Sequence, residues 1–394
     1  MLVVLCLSVL SAKAADPAKT VTLDEALEIA IQNNPRLRMA EAGIERSRAE
    51  KGEIWDGGST SVSYSWGQLN GPFREDYEIS VEQSLGSPLT PFYKNALVNT
   101  RIGMGENYRD MVRKEVVAEV KRAWYYYQYA LHVKSLYDDQ EELTEKLLES
   151  GRLRYEQGDI DMAQRNMISA MAAEIHNRWL QACEEVDLAL RRFTWACYSD
   201  TGIVPADTSL TVLPFSDVRL PLSQSHLDYF DAQAREKKDL FKVERSKFFP
   251  EIVLGYSNQK IYPDNNLNSW TVGISVPIFF FPQQSRSRQA KADMRMAELE
   301  AENNRRMLDN KVEELYRQVA RQRRSLDYYE NAALKEAEAL QNSAMIQFRQ
   351  SATDITTLVQ SLRTAWDILE NYISTVYGYN VSVLEIELYT EQNQ

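Results

Sequence analysis

The sequence predicts a mainly α-helical chain with a small β part, built from one unit of helix, strand, strand, long helix and helix that occurs twice. Three observations carry this. Two pairs of short alternating segments lie about 190 positions apart, each alternating pair precedes a proline-free stretch far longer than a globular helix, and the two halves match at an offset of 192 to 195. Ser63-Tyr64-Ser65 answers Gly255-Tyr256-Ser257, Ile79-Ser80-Val81 answers Ile274-Ser275-Val276, and Arg154-Tyr155-Glu156-Gln157 answers Gln347-Phe348-Arg349-Gln350. Composition agrees: 26% of the 394 residues are charged, with only 15 Gly and 12 Pro, which suits long helices. The formal net charge of −12 carries no nucleic-acid footprint.

In chain order, residues 1–14 read as a secretory signal peptide, an apolar Leu2 to Leu10 followed by Ser11-Ala12-Lys13-Ala14 and cut after Ala14. No basic residue precedes the apolar stretch. Loss of Lys13 takes the formal charge from −12 to −13. Cys6 falls inside this segment without the small residues of a lipoprotein cleavage site. Cys183 and Cys197 would stand about 21 Å apart on a continuous helix, too far for a disulfide, and read as packed thiols.

The first repeat is expected over 15–197. Thr22 caps a helix whose Glu25 completes a capping box, and Pro35 interrupts that helix on its way to Glu53. A hairpin is expected at 59–84, then a helix from about Phe92 to Leu153, roughly 90 Å long at 1.5 Å per residue. After a turn, Ile168, Met171, Ile175, Trp179, Ala182, Val186 and Leu190 form a coiled-coil seam. Residues 198–225, with Pro205, Pro214 and Pro221, read as an irregular linker. The second repeat, 226–390, has a helix from His226 to Phe249, a hairpin at 250–279, a proline-free stretch from Gln283 to Gln350, and a seam of Ile355, Leu358, Leu362, Trp366, Leu369, Ile373 and Val376.

The strands carry the functional signal. Val62, Tyr64 and Trp66 alternate with serines, Tyr77, Ile79 and Val81 with Glu78, Ser80 and Glu82, and the second pair repeats the pattern with Ile252, Leu254, Tyr256, Trp270, Val272 and Ile274. Such alternation suits a lipid-out, lumen-in barrel strand, and equally an ordinary sheet with one face on a core. Aromatics at the hairpin ends (Trp55, Trp66, Tyr77, Tyr256, Tyr262, Trp270, Phe279, Phe280, Phe281) favour the first, as an interfacial girdle. The visible runs, short of the roughly 9–11 residues of a spanning strand, count against it. Beyond the first dozen residues no apolar run approaches the roughly 20 of a spanning helix, so any crossing is by strands. Four strands cannot close a barrel, so several chains must share one.

With these features the chain resembles the TolC-like outer-membrane efflux factors over nearly its whole length. Thr22-Leu23-Asp24-Glu25-Ala26-Leu27 with Asn33-Asn34-Pro35, the paired hairpins, Val276-Pro277-Ile278-Phe279, and the turn Tyr155-Glu156-Gln157-Gly158-Asp159-Ile160 carry the resemblance by order and duplication. It implies a homotrimer with a 12-stranded transmembrane β-barrel continued by a periplasmic α-helical barrel. A periplasmic adaptor (membrane fusion) protein and an inner-membrane pump of the resistance-nodulation-division or ABC type would be the partners. The function implied is a passive duct for drugs, metal ions or other solutes, in efflux or type I secretion. A soluble periplasmic coiled-coil adaptor or scaffold is the competing reading.

The resemblance also places sites. The turns at 152–161 and 347–355 become the tips that meet the adaptor, with Arg152, Tyr155, Gly158, Asp159, Phe348, Arg349 and Ser351 as contact residues. Ser351 stands where glycine is usual, and Thr357 and Gln360 stand where acids narrow the aperture in the best-understood members; Asp159, Asp161 and Asp354 are the nearby acids. Glu78 and Glu82 are expected in the barrel lumen, favouring cations. Met162, Met167 and Met171 near the first turn suit helix packing better than Cu(I) ligation. His132, His176 and His226 lack ligand spacing, and no catalytic, metal-site or phosphate-loop pattern points to an enzyme, a cofactor or a bound metal.

Overall fold

The computed structural model describes residues 19–55, 57–69, 76–216, 218–261, 264–276, 281–350 and 352–391; the expected signal peptide at 1–14, and Ser351, lie outside them. In chain order the elements are β1 (Lys19–Val21), α1 (Leu23–Asn33), α2 (Pro35–Ala49), a 3-10 turn (Glu50–Glu53), β2 (Thr60–Gly67), β3 (Asp76–Gly86), α3 (Leu89–Glu156) and α4 (Met162–Ala196). There follow β4 (Ile203–Pro205), α5 (Gln224–Ser246), β5 (Glu251–Ile261), β6 (Asp264–Ser275), α6 (Phe281–Tyr328), a π turn (Tyr329–Ala333), α7 (Leu334–Arg349) and α8 (Ile355–Tyr389). The capping box forms, with Glu25 N–H on Thr22 Oγ1 at 3.3 Å and Thr22 N–H on Glu25 Oε2 at 2.9 Å. Pro35 begins a new helix at its first position, where its missing N–H costs nothing.

The chain divides into two compact units, each drawing on both repeats. One comprises residues 1–35, 113–221 and 311–394. Its seam is Ile168, Met171 and Ile175 of α4 against Leu358, Leu362 and Trp366 of α8, closed by Tyr137, Leu147 and Phe348. α4 and α8 are each 35 residues long and each opens on an aspartate N-cap, Asp161 and Asp354. A second cluster joins Leu315, Val319 and Leu326 of α6 to Val376, Tyr379 and Val383 of α8.

The segment expected as an irregular linker is more ordered than its composition suggests. β4 pairs in parallel with β1, Lys19 against Ile203 and Val21 against Pro205. Leu210, Val212, Leu213 and Phe215 then pack on the second cluster. Fully buried Asn380 holds them, its Oδ1 accepting from Leu213 N–H at 2.9 Å and its Nδ2 donating to Thr211 O at 2.7 Å. A side-chain amide thus supplies the ladder that a neighbouring strand would. Cys183 and Cys197 are free thiols, and burial pushes Cys197 up to about 12.

The other unit, residues 36–112 and 222–310, holds the four-stranded antiparallel sheet β2-β3-β5-β6. Its strands run 8, 11, 11 and 12 residues. All but β2 reach a spanning length: the sequence alternation stops short because on β5 the polar residues Asn258 and Lys260 take the positions opposite Ile79 and Tyr77. In the same unit Arg101 ties α3 to its helical neighbours, pairing with Glu50 at 2.8 Å and with Glu236 at 3.0 Å. Thr100 Oγ1 donates to Asp239 at 2.8 Å beside them. At Gly58, φ +66°, a Cβ would stand 2.0 Å from Ser84 O, so only glycine lets the entry to β2 lie this close to β3.

Candidate functional site

Strand register decides which residues share a face. Val62 lies opposite Val81, Val81 opposite Tyr256, and Tyr256 opposite Trp270. The apolar residues of both hairpins therefore occupy one face, and they are exposed: Trp66 at 73%, Trp270 at 81% and Val272 at 79%. Among the described residues nothing covers them.

The apolar rows are not level. On β2 and β3 they are Trp66/Tyr77, Tyr64/Ile79 and Val62/Val81; on β5 and β6 they are Tyr256/Trp270, Leu254/Val272 and Ile252/Ile274, two rows further down. Asn258/Asn268 flank the band above on one hairpin and Thr60/Gln83 below on the other. Two rows are four residues, roughly 13 Å along the strands, over a sideways step of roughly 10 Å between hairpins. The strands therefore cross the apolar band at a slant of about 50°, close to the 35–45° typical of barrel strands. Each hairpin also has its aromatic pair in the top row, Trp66/Tyr77 and Tyr256/Trp270, with ring centroids 5.0 Å apart in the second. Exposed Trp55, Phe92, Phe249 and Phe281 flank the other strand ends. Of the aromatics expected in a girdle, Tyr262, Phe279 and Phe280 lie outside the described residues.

The opposite face is polar. Ser63, Ser80, Ser257 and Ser269 form one row across all four strands, with Oγ to Oγ distances of 2.6 Å for Ser63 and Ser80 and 2.8 Å for Ser257 and Ser269. Glu78 lies in the row above, opposite Ser65 and Gln259, and Glu82 in the row below, opposite Ser61 and Gly255. β2 and β6 are the edges of the sheet. A sheet with one apolar and one hydroxyl-lined face suits hydrocarbon on one side and water on the other. Among the described residues no helix is long and apolar enough to cross a membrane.

The two helix turns differ from each other. At the first, Gly158 N–H donates to Tyr155 O at 3.0 Å and Asp159 N–H to Arg154 O at 2.9 Å, a Schellman closure with Gly158 at φ +79°. Tyr155 is partly exposed under the Arg165 guanidinium, 5.2 Å from its ring centre, and Arg152 is exposed between Glu149 and Glu156, each at 2.8 Å. At the second turn Phe348 is only 3% exposed, packed into the seam. Its ring is turned into the seam rather than outward. Arg154, which sequence reasoning did not single out, bridges the turns: its guanidinium lies 4.2 Å from the Phe348 ring and donates to Phe348 O at 2.8 Å. Arg349 is exposed, and Ser351 lies outside the described residues.

The three acids have separate jobs. Asp161 accepts from Gln164 N–H at 2.8 Å and Asp354 from Thr357 N–H at 2.7 Å, so both carboxylates cap helices. The bond from Thr357 N–H holds the Asp354 carboxyl below its usual range. Asp159 is exposed at the rim of a cavity of about 500 Å³ between the turns, lined also by Arg154, Ile160, Gln164, Asp354 and Ile355. Thr357 and Gln360 are exposed on the first turns of α8. Met171 is buried in the seam and the Met167 thioether faces Thr356 Oγ1 at 3.9 Å. The histidines have ordinary partners: Gln128 O for His132, Glu141 for His176 and Ser223 Oγ for His226.

Residues 227–374 match the family model described as outer membrane efflux protein. No curated protein sequence matches the chain significantly. The fold is that of the outer membrane channel CmeC of Campylobacter jejuni, at 13% identity and a TM-score of 0.77, covering 99% of this chain and 92% of that one. The outer membrane protein VceC of Vibrio cholerae gives 12% and 0.74 over 92% and 94%. The MtrE outer membrane channel of Neisseria gonorrhoeae, in its open state, gives 13% and 0.67 over 92% and 87%.

Proposed function

We propose that this chain is the outer-membrane channel component of a tripartite export system. The observation that carries the reading is the sheet: a slanted, exposed, aromatic-bordered apolar band on one face, a serine row on the other, and two open edges. Open edges leave backbone groups unpaired in lipid, which three copies remove by closing twelve strands into one barrel. The family match over residues 227–374 and the fold of solved channels support the same conclusion.

The serine face lines the lumen, with Glu78 and Glu82 drawing cations and keeping it wet. The helical part continues the duct into the periplasm and needs no cofactor and no catalysis, only a continuous aqueous path. The turns at 152–161 and 347–355 dock the periplasmic adaptor. Arg152, Tyr155 and Asp159 offer it side chains from the first turn and Arg349 from the second, while Phe348 and Arg154 fix the spacing between the turns. An inner-membrane pump completes the path for drugs, metal ions or other solutes.

The test is purification and reconstitution. The protein is expected to require detergent, to run as a trimer, and to conduct ions in a planar bilayer. A monomer soluble without detergent sinks the reading.

A further inference from the structure

We propose that the recess at the C-terminal end of α4 is a binding site for a neutral glycan strand, with Trp195 and Tyr198 as its stacking platform. α4 ends in the same closure as α3: Tyr198 N–H donates to Trp195 O at 2.9 Å and Ser199 N–H to Thr194 O at 3.3 Å. That closure drives its central residue into the left-handed region, where α3 has Gly158 but α4 has Tyr198, at φ +48°. A side chain there costs about 1 kcal/mol relative to glycine, and here the side chain is a large ring. Trp195 beside it is 72% exposed, although Phe193 and Ala196 on the same helix are buried. The two rings lie 6.1 Å apart at 37°, a bent apolar platform facing water.

The recess holds about 540 Å³, within the roughly 300–1,000 Å³ of small-ligand sites. Leu190 and Ile203 supply further apolar lining, while Thr194, Ser199 and Asp200 place hydroxyls and a carboxylate around it. Arg191 also borders it, its guanidinium turned to Asp187 at 3.0 Å. Flat C–H faces on aromatic rings with hydroxyls ringed by a carboxylate and alcohols is the chemistry of a polyhydroxylated ring. An anionic ligand would need a free cation, and a lipid tail an unbroken apolar wall. A strand of linked hexoses meets both halves of the lining.

Full-length protein in detergent is mixed with insoluble chitin, sedimented, and competed with soluble chito-oligosaccharide. Wild type is expected to sediment and be released by the oligosaccharide. Trp195→Ala and Tyr198→Gly are each expected to weaken capture at least tenfold. Tyr198→Gly relieves the backbone, so it is expected to melt no lower than wild type, which separates lost binding from lost folding. Capture that both variants retain, or no capture of wild type, overturns the proposal. Loss of the oligomer in Trp195→Ala assigns the platform to a second copy and overturns it too. Conductance is read in parallel and is expected unchanged in both variants, so a wild type that fails to conduct counts against the duct alone.

Discussion

The sheet and the helical seam handle large apolar side chains in opposite ways. In the seam, Leu358 and Leu362 have no exposed surface, while on the sheet Trp270, Val272 and Ile274 are among the most exposed large apolar residues described. Both follow a strict sequence period, so period alone does not distinguish burial in protein from burial in another solvent. What separates them is the second face: α4 and α8 present charged pairs such as Arg363 with Glu174 at 2.8 Å, whereas the sheet presents a row of serines flanked by Glu78 and Glu82. A helix with a salt-bridged back is built for water behind it. A sheet with small hydroxyls behind it suits a confined aqueous space.

The comparison breaks first in the seam. Leu358→Ala removes a fully buried side chain from the α4/α8 cluster and is expected to cost about 2–5 kcal/mol, read as a fall in denaturant midpoint in detergent. Val272→Ala, exposed on the sheet, is expected to leave that midpoint within about 0.5 kcal/mol. Equal losses at both positions mean that the sheet face is covered by protein in the isolated chain.

The second test moves to lipid. Val272→Arg puts a charge in the apolar band and is expected to cost about 2–4 kcal/mol of insertion near the bilayer midplane, read as the fraction folded into lipid vesicles. Ser257→Arg, on the opposite face of the adjacent strand, is expected to insert as wild type and to change conductance instead. If both substitutions reduce insertion alike, the assignment of faces is wrong.

Much of this was legible in the residues. The capping box at Thr22, the break at Pro35, both seams and the phase of all four strands follow from spacing that local chemistry enforces. The slant of the apolar band was not legible, because it depends on how β3 pairs with β5, two strands about 170 positions apart whose register no local signal sets. The order in residues 203–215 was hidden for a similar reason: its ladder is completed by Asn380, a polar residue that reads as an ordinary helix position. At the turns, the aromatic in each repeat suggested equal roles, yet Arg154 draws Phe348 inward and leaves Tyr155 outside. One repeat therefore predicts the backbone of the other but not the fate of its side chains.

The smallest expected effects separate the two aspartate caps. Asp161 sits in a reciprocal box, with Gln164 Oε1 accepting from Asp161 N–H at 3.1 Å, whereas Asp354 caps through its own carboxylate with threonine at the corresponding position. Asp161→Ala is expected to cost about 1 kcal/mol. For Asp354 the folded carboxyl titrates below its unfolded value of about 3.9, so its contribution is complete above that value and is lost as pH falls through the folded one. Asp354→Ala is therefore expected to lower the melting temperature at pH 6 and to approach wild type as the pH drops below 4. Asp354→Ser keeps a neutral cap and is expected to fall between them at pH 6, with a flatter pH profile than wild type. An Asp354→Ala deficit that stays constant down to pH 3 means that the charge on this cap contributes nothing, and that the hydrogen bond from Thr357 alone holds the start of α8.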